Sequence, residues 1–403
     1  MLFGTFYEMA RRGLLLYNGQ FETGYRLVHF GLAAALCAGL PWVPAARKRR
    51  VLLGASLLVG ASLLGLLLAV PVLMAWLASR VSRAAWSTSV KLGLLLGIWV
   101  LVPVATWPVR PHLRLRYDEL SMYWSTVFAS VVCLVVERAR GQLEGVEPLD
   151  EWLYLLVFPR FFIPFLQPIG VRRFVDSWHE RASSRVALRG LALGLYSVLG
   201  YFAIRYTIYA LKSPLAPFNI MTHGPQILTN GVRIYAFNAT IIFSAVALLR
   251  LVGYDLGSGF HYPLLATSVA DVYRRWNYYL FEYATSMFYL PLVTHLRRVL
   301  PVRLAYLVAG YASVLLGVWA LFNVIAMWPL GQYGVQMWSS MRDGKALLGY
   351  FGVWSLIILP QALLAPLRRL RRFRWWKVSS HILTIGTGLA LATYAFVNGI
   401  TVY

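Results

Sequence analysis

Ionisable residues inside apolar stretches are the residues of this sequence with the clearest chemical potential. Arg160, Arg205, Arg233, Arg250 and Glu282 each interrupt an otherwise apolar segment. A charge near the centre of a bilayer costs at least ~2.5 kcal/mol, so such residues are typical of polar cavities that hold a partner. Arg233 and Arg250 also fit side chains that reach the interface from a helix end. Glu282 is expected to pair with a neighbouring arginine.

Arg160 differs from the other four because prolines surround it. The segment 152–168 contains Pro159, Pro164 and Pro168, and prolines spaced so closely break a helix. Broken backbone at membrane depth is tolerated only where protein or a water-filled cavity surrounds it. The segment is therefore a candidate re-entrant element, and Arg160 either lines a polar tunnel or caps a kink.

The elements that position these residues are predicted to be membrane-spanning helices. Hydrophobic residues make up 59% of the 403 positions and charged residues 13%, whereas soluble domains carry about a quarter charged residues. Backbone groups in lipid must be satisfied internally, which favours helices. We therefore expect an all-α, polytopic integral membrane protein, with 1–403 as a single membrane domain. Both cysteines lie in apolar runs, so neither a disulfide framework nor a metal site is expected.

Nine long apolar runs are candidate membrane spans. They are 27–46, 51–70, 85–107, 119–137, 188–211, 232–253, 304–328, 346–366 and 378–400. A shorter, Tyr-rich stretch at 276–294 is either a second re-entrant element or a kinked ordinary helix. Together these runs predict about nine to eleven crossings.

The basic residues predict the orientation of the chain. The formal net charge is +23, but the basic residues cluster in short loops between spans, as the positive-inside rule requires, so nucleic acid is not an expected partner. If 47–50 is cytoplasmic, alternate crossings place the acidic loop 144–151 on the opposite side, with Arg80 and Arg83 as exceptions. The basic loops that then share the side of 47–50 are 110–116, 172–189, 274–303 and 368–377. The count supports a multi-pass protein of the inner or plasma membrane with an extracytoplasmic N-terminus.

Several short motifs lie within residues 231–292. They are Leu-Val-Gly-Tyr at 251–254, Gly-Phe-His-Tyr-Pro at 259–263, Asp-Val-Tyr-Arg-Arg-Trp-Asn at 271–277 and Tyr-Leu-Pro-Leu at 289–292. Together with the proline-rich segment 152–168, they resemble the membrane-bound O-acyltransferase (MBOAT) family, in particular its alginate and teichoic-acid acylation branch. The resemblance implies a ring of helices with re-entrant segments around a tunnel. It also implies an acyl-CoA or another acyl thioester as the cytosolic donor, and a hydroxyl acceptor outside.

The family's histidines are replaced in this sequence. A membrane-buried histidine of the family takes the proton of the acceptor hydroxyl, and the resemblance places Trp319 and Ala320 at its Trp-His step. The histidine that normally ends the signature is Asn277. Neither alanine nor asparagine is a base near neutral pH. Among the seven histidines, His223 is expected to face the acceptor side and is the candidate substitute base.

Three residues of the signature are candidates for binding the donor. The resemblance implies that Arg274, Arg275 and Trp276 lie at the cytoplasmic mouth of the tunnel, with Trp319 and Arg160 along it. Two guanidinium groups at the mouth would bind the donor's phosphates. The alternative is that the arginines only follow the positive-inside rule.

Three functions remain open on this sequence. The first is a divergent MBOAT-like protein, associated with acylation or assembly of a secreted or envelope polymer but without conventional catalysis. The second is an active O-acyltransferase that moves an acyl group to an extracytoplasmic polysaccharide or lipid. The third is transport of a lipid-like substrate, for which no internal repeat is visible. The expected partners are the lipid bilayer, an acyl donor and envelope-assembly proteins.

Overall fold

The computed structural model describes most of the N-terminal half and part of the C-terminal half. The described ranges are 39–106, 114–158, 169–178, 246–257 and 278–313, with isolated residues between them such as Arg160, Gly259, His261, Asp271, Arg274 and Arg275. Within these ranges the secondary structure is helical and no strand occurs, which confirms the all-α class for this part. The chain divides into two compact units, 1–188 with 248–256, and 189–247 with 257–403. The single membrane domain stays a prediction.

Six described α-helices belong to the first unit. They are α1 (Ala45–Leu64), α2 (Ala69–Arg83), α3 (Thr88–Thr106), α4 (Arg114–Ala139), α5 (Pro148–Leu156) and α6 (Val171–Asp176). Short 3-10 turns precede α1 at Leu40–Trp42 and join α1 to α2 at Gly65–Leu68. Helix α4 packs against all five of the others, and α5 packs against both α1 and α2. The core of the unit therefore lies around α4 and α5.

The chain reverses direction at Gly65, between helices α1 and α2. Arg49, near the start of α1, forms an ion pair with Asp150. Arg83, at the end of α2, forms one with the next residue, Glu151. In one straight helix these arginines would lie about 50 Å apart, which their side chains cannot bridge. Gly65 makes the turn with φ +59°, a conformation that favours glycine.

The tip of this hairpin is apolar and open. Leu66 next to the turn is 90% exposed. Among the described residues, one helical stretch, Ala45–Arg83, is long and apolar enough to cross a membrane, and the apolar helix Thr88–Val102 is shorter. Polytopic membrane insertion is therefore carried forward as a proposal.

The existence of α2 corrects the predicted order of spans. The predicted spans 51–70 and 85–107 leave most residues of α2 as a connection. This prediction is wrong here because the apolar run has no polar interruption at the turn, and one glycine reverses it. The reversal brings Arg83 to the end of the unit where α1 begins, since Arg83 pairs with Glu151 and Arg49 with the adjacent Asp150.

The same reversal corrects the position of the acidic loop. The prediction that 144–151 lies opposite to 47–50 is wrong. Arg49 Nη1 donates to both carboxylate oxygens of Asp150, at 2.9 and 3.0 Å.

The second unit contains a helical hairpin. Its first arm runs without a break through α7 (Tyr278–Tyr283), a π-helical turn (Ala284–Tyr289) and α8 (Leu290–Leu296). Its second arm, α9 (Val302–Ser313), packs against both the π-helical turn and α8. Pro291 has no backbone N–H and would clash in a regular helix, which accounts for the wider turn before it. For the stretch 276–294, this favours the kinked helix over a re-entrant break.

Candidate binding site in the first unit

Arg160 is the one charged residue of the proline-rich sequence 152–168, and it is buried. Its side chain is 2% exposed. Nη1 donates a 2.8 Å hydrogen bond to Ser130 Oγ on α4, and the guanidinium carbon lies 4.8 Å from the centre of the Tyr154 ring. Its other donor nitrogens, Nε and Nη2, are buried without a hydrogen-bond partner. The guanidinium group is thus fixed in place, but two of its three nitrogens have no hydrogen-bond partner.

A broken helix places Arg160 there. Helix α5 ends at Leu156, two residues before Phe158, which precedes Pro159 and is for that reason disfavoured in the α conformation. A tight turn follows, closed by Arg160 N donating to Val157 O at 2.9 Å. The predicted helix end at this segment is therefore found.

Side chains from α1 and α4 satisfy the backbone groups that the break leaves free. Tyr123 Oη on α4 donates to the carbonyl of Leu155 at 2.9 Å. The N–H of Phe158 donates to Ser56 Oγ on α1 at 3.1 Å. Buried backbone groups need such partners, so the break is a built feature of the fold and not a local defect.

The chain also returns to α5 after the break. Tyr154 Oη donates to the carbonyl of Ile169 at 2.5 Å, and the Tyr154 and Phe174 rings meet edge to face at 5.4 Å. The described chain therefore leaves α5 at its C-terminal end and comes back beside it before α6. This is the path that a re-entrant element requires, although its placement in a membrane stays a prediction. Residues 161–168 lie outside the described part.

One face of α4 supplies the polar groups along this path. Tyr123, Ser130 and Glu137 are spaced by seven residues and so share a face, and all three are buried. Glu137 Oε2 accepts the backbone N–H of Arg172 at 3.0 Å, at the start of α6. The α4 face thus links the break at Arg160 to the charged end of the bundle.

A second buried cluster lies at that charged end. Glu151 is fully buried and accepts hydrogen bonds from Ser79 Oγ at 2.5 Å, from Arg83 Nη2 at 2.7 Å and from Arg138 Nη2. These contacts connect α2, α4 and α5. The carboxylate has three partners, so the cluster is a structural connection between helices, in which Arg138 Nε is buried without a hydrogen-bond partner.

Two aromatic rings, those of Trp178 and Tyr254, pack together beside the start of α1. Lys48 Nζ lies 5.9 Å from the Trp178 ring centre, and Trp178 contacts Tyr254 at 4.9 Å. Burial lowers the pKa of Lys48. Burial raises the pKa of Tyr254 well above its usual range, helped by the charge of Asp150 and opposed by that of Arg49. Both shifts disfavour the charged form of a buried group.

The two arginines predicted to bind the donor are held by one carboxylate. Asp271 accepts from Arg274 Nη2 at 2.5 Å and from Arg275 Nε at 2.8 Å. Backbone bonds tie the motifs together: His261 N donates to Arg275 O at 2.7 Å, and Tyr278 N to Gly259 O at 2.8 Å. Asp271 therefore orients both guanidinium groups and occupies part of their donor capacity. Their binding of a donor's phosphates stays a prediction.

The remaining predicted site residues fall outside the described part of the chain. They are His223, Trp276, Asn277, Trp319 and Ala320. Within the described ranges, no three His, Cys, Asp or Glu side chains lie close enough to hold a metal ion. The sequence reading missed Ser130, Tyr123 and Tyr154 around Arg160, although the seven-residue spacing on α4 signalled a polar face.

No protein-family model matches the chain, and no curated protein matches it either. The resemblance to membrane-bound O-acyltransferases therefore rests on the motifs at 251–292 and on the proline-rich segment alone.

Proposed function

We propose that this chain is a polytopic membrane protein that binds an acyl-chain-bearing ligand and takes part in acylation or assembly of a secreted or envelope polymer. It does so without conventional acyl transfer of its own. The proposal keeps the MBOAT-like plan of helices around a polar path. Its ligand lies against the broken segment that carries Arg160.

The observation that carries the membrane placement is the distribution of apolar and charged side chains in the first unit. Large apolar residues on the outer faces of α1 to α3 are open, among them Leu58, Leu73, Leu94 and Leu101. Charged groups are instead buried, among them Glu137, Asp150, Glu151 and Arg160. Exposed apolar surface of this extent marks contact with lipid or a partner, and lipid fits the apolar composition of the whole chain.

The absence of conventional catalysis is supported by residue chemistry. Ala320 cannot move a proton, and Asn277 can hydrogen-bond a substrate but cannot act as a base near neutral pH. Proton transfer by a positioned side chain contributes typically about 10²–10⁴-fold to rate. Acyl transfer at these positions would lack that contribution.

Two measurements test the proposal. We expect the protein to stay in the membrane fraction after an alkaline carbonate wash, and its release would contradict the membrane placement. We also expect purified protein to transfer no acyl group from acyl-CoA to a polysaccharide hydroxyl, with Ala320→Gly unchanged in cells. Transfer that is lost in a folded His223→Ala variant would instead support an active O-acyltransferase with a relocated base.

A further inference from the structure

The free edge of the Arg160 guanidinium has the geometry of an anion fork. Nε and Nη2, the two donors without a partner, lie along one edge of the planar group. That edge matches the two oxygens of a carboxylate or phosphate, which arginine binds through two parallel hydrogen bonds. The opposite nitrogen, Nη1, is held by Ser130. The donors left over are thus the pair best suited to an oxyanion.

The surroundings of Arg160 do not neutralise its charge. None of the described carboxylates forms an ion pair with it, and the described groups close to it, the hydroxyls of Ser130, Tyr123 and Tyr154, are neutral. Val157 and Phe158, in the turn before it, are also fully buried. A buried charge without a counter-charge is strongly unfavourable, so buried charges are normally paired.

The arginine is also held in advance of any ligand. The Tyr154 ring lies over the guanidinium, and the Tyr154 hydroxyl is itself anchored to the carbonyl of Ile169. A guanidinium fixed on one side and over one face loses little freedom when its remaining edge binds. These contacts hold the group ready without using the fork.

We propose that Arg160 is the anion-binding residue of this protein and that it binds, through Nε and Nη2, the carboxylate or phosphodiester of an amphiphile whose chain lies in the membrane. The inference rests on the membrane function proposed above and gives the chemical class of its ligand. Ser130 and Tyr154 are positioning residues that orient the fork. An amphiphile fits because the arginine lies among apolar residues of a predicted membrane segment.

Pairs of ligands that differ only in the anion test the chemistry. Purified protein in neutral detergent would be titrated with oleate or oleyl alcohol, and with dioleoylphosphatidylglycerol or dioleoylglycerol. Binding would be followed by native mass spectrometry and thermal unfolding. We expect at least one anionic member to bind one to one and to raise the melting temperature more than its uncharged counterpart.

The outcome also identifies the source of the oxyanion. Selective binding of oleate indicates a carboxylate, and selective binding of phosphatidylglycerol indicates a phosphodiester. Protection by inorganic phosphate alone would contradict the amphiphile. If no anion protects more than its uncharged counterpart, the proposal is wrong.

Variants distinguish binding through the paired donors Nε and Nη2 from a general effect of positive charge. Arg160→Lys keeps the positive charge but loses the paired donors, and Arg160→Gln removes the charge; both should weaken binding about tenfold or more. Arg172→Gln, which removes an exposed arginine of the same unit, is the matched control and should bind like the parent. Equal binding by folded Arg160→Gln would overturn the inference.

Two further results keep the test decisive. If the Arg160 variants do not fold, Ser130→Ala should weaken binding of the same anion by a smaller factor, and unchanged affinity would count against the site. Failure of binding in a protein that resists carbonate extraction would reject this inference while leaving the membrane placement intact. Release of the protein by carbonate would reject the proposed function itself.

Discussion

At the scale of single residues, Glu151 and Arg160 show two ways of burying a charge. Glu151 accepts hydrogen bonds from Ser79, Arg83 and Arg138, so several contacts offset the loss of its hydration. Arg160 has Ser130 as its hydrogen-bond partner and keeps two donors free. Glu151 ends the acidic loop and Arg160 interrupts apolar sequence, but their contacts separate the structural charge from the binding group.

Gly170 is a second residue whose importance comes from a neighbour. Its φ of −56° and ψ of 144° suit any residue, but an added Cβ would lie 2.6 Å from Glu137 Oε1. We expect Gly170→Ala to lower the free energy of unfolding by about 1–2 kcal/mol, because Glu137 must move off the N–H of Arg172. Unfolding by denaturant in detergent micelles would measure the change.

Gly54 supplies the matched control for this substitution. It lies within α1, and a Cβ there would meet nothing within 4 Å. Gly54→Ala should therefore be neutral or stabilising by about 0.5–1 kcal/mol, since alanine loses less backbone freedom in a helix. If Gly170→Ala and Gly54→Ala have the same free energy of unfolding, Glu137 moves away from residue 170 without a loss of stability, and the prediction is wrong.

At the scale of helices, a pair of tryptophans joins α3 to α4. Trp99 Nε1 donates to the carbonyl of Trp124 at 3.0 Å, and Trp124 Nε1 donates to that of Trp99 at 2.9 Å. Both indoles are buried. The Trp99 ring also packs against Phe128 at 5.2 Å. Each indole N–H thus has its acceptor on the partner helix. The two bonds fix the position of α3 relative to α4 along the helix axes.

This reciprocity predicts a coupling between the two residues. Trp99→Phe and Trp124→Phe should each reduce stability by about 1–2 kcal/mol, from one lost hydrogen bond and poorer packing. The double variant should cost less than the sum, because either change lets the helices shift and weakens the other bond. Trp86→Phe, at an exposed site, is the control. Strict additivity in a double-mutant cycle would argue that the two bonds are independent.

At the scale of the whole molecule, the turn at Gly65 decides which loops share a side. Residues 47–50, in the first two turns of α1, are joined to the acidic segment 144–151 by the ion pair of Arg49 with Asp150. The hairpin tip at Leu66 lies at the far end of α1. In a membrane, we therefore expect the two segments to face the same compartment and the tip to lie away from it.

Cysteine labelling tests this arrangement. In a background with Cys37→Ser and Cys133→Ala, we expect Arg47→Cys and Glu144→Cys to react with an impermeant maleimide from the same side of the membrane. Leu66→Cys should react from the other side or be protected by lipid. Both loop positions are exposed. Labelling of 47 and 144 from opposite sides would restore the span order predicted from hydropathy and would contradict the hairpin.

The sequence by itself determined the helical class of the described part and the end of a helix before Pro159. Both are local properties, since hydropathy and proline geometry act within a few residues. It also pointed to Arg160, because a charge among apolar residues and prolines is visible without any contact. The distant residues around that arginine were not predictable in this way.

Only the tertiary structure decided how α1 and α2 turn, which loops meet, and which donors of Arg160 stay free. Phe158 finds Ser56 across 102 positions and Arg49 finds Asp150 across 101. Such contacts depend on the direction of each helix, and a single glycine with positive φ reverses α1 into α2 without any change in hydropathy. Packing of distant segments, and not local composition, therefore determines whether a buried charge is neutralised or left to bind a ligand.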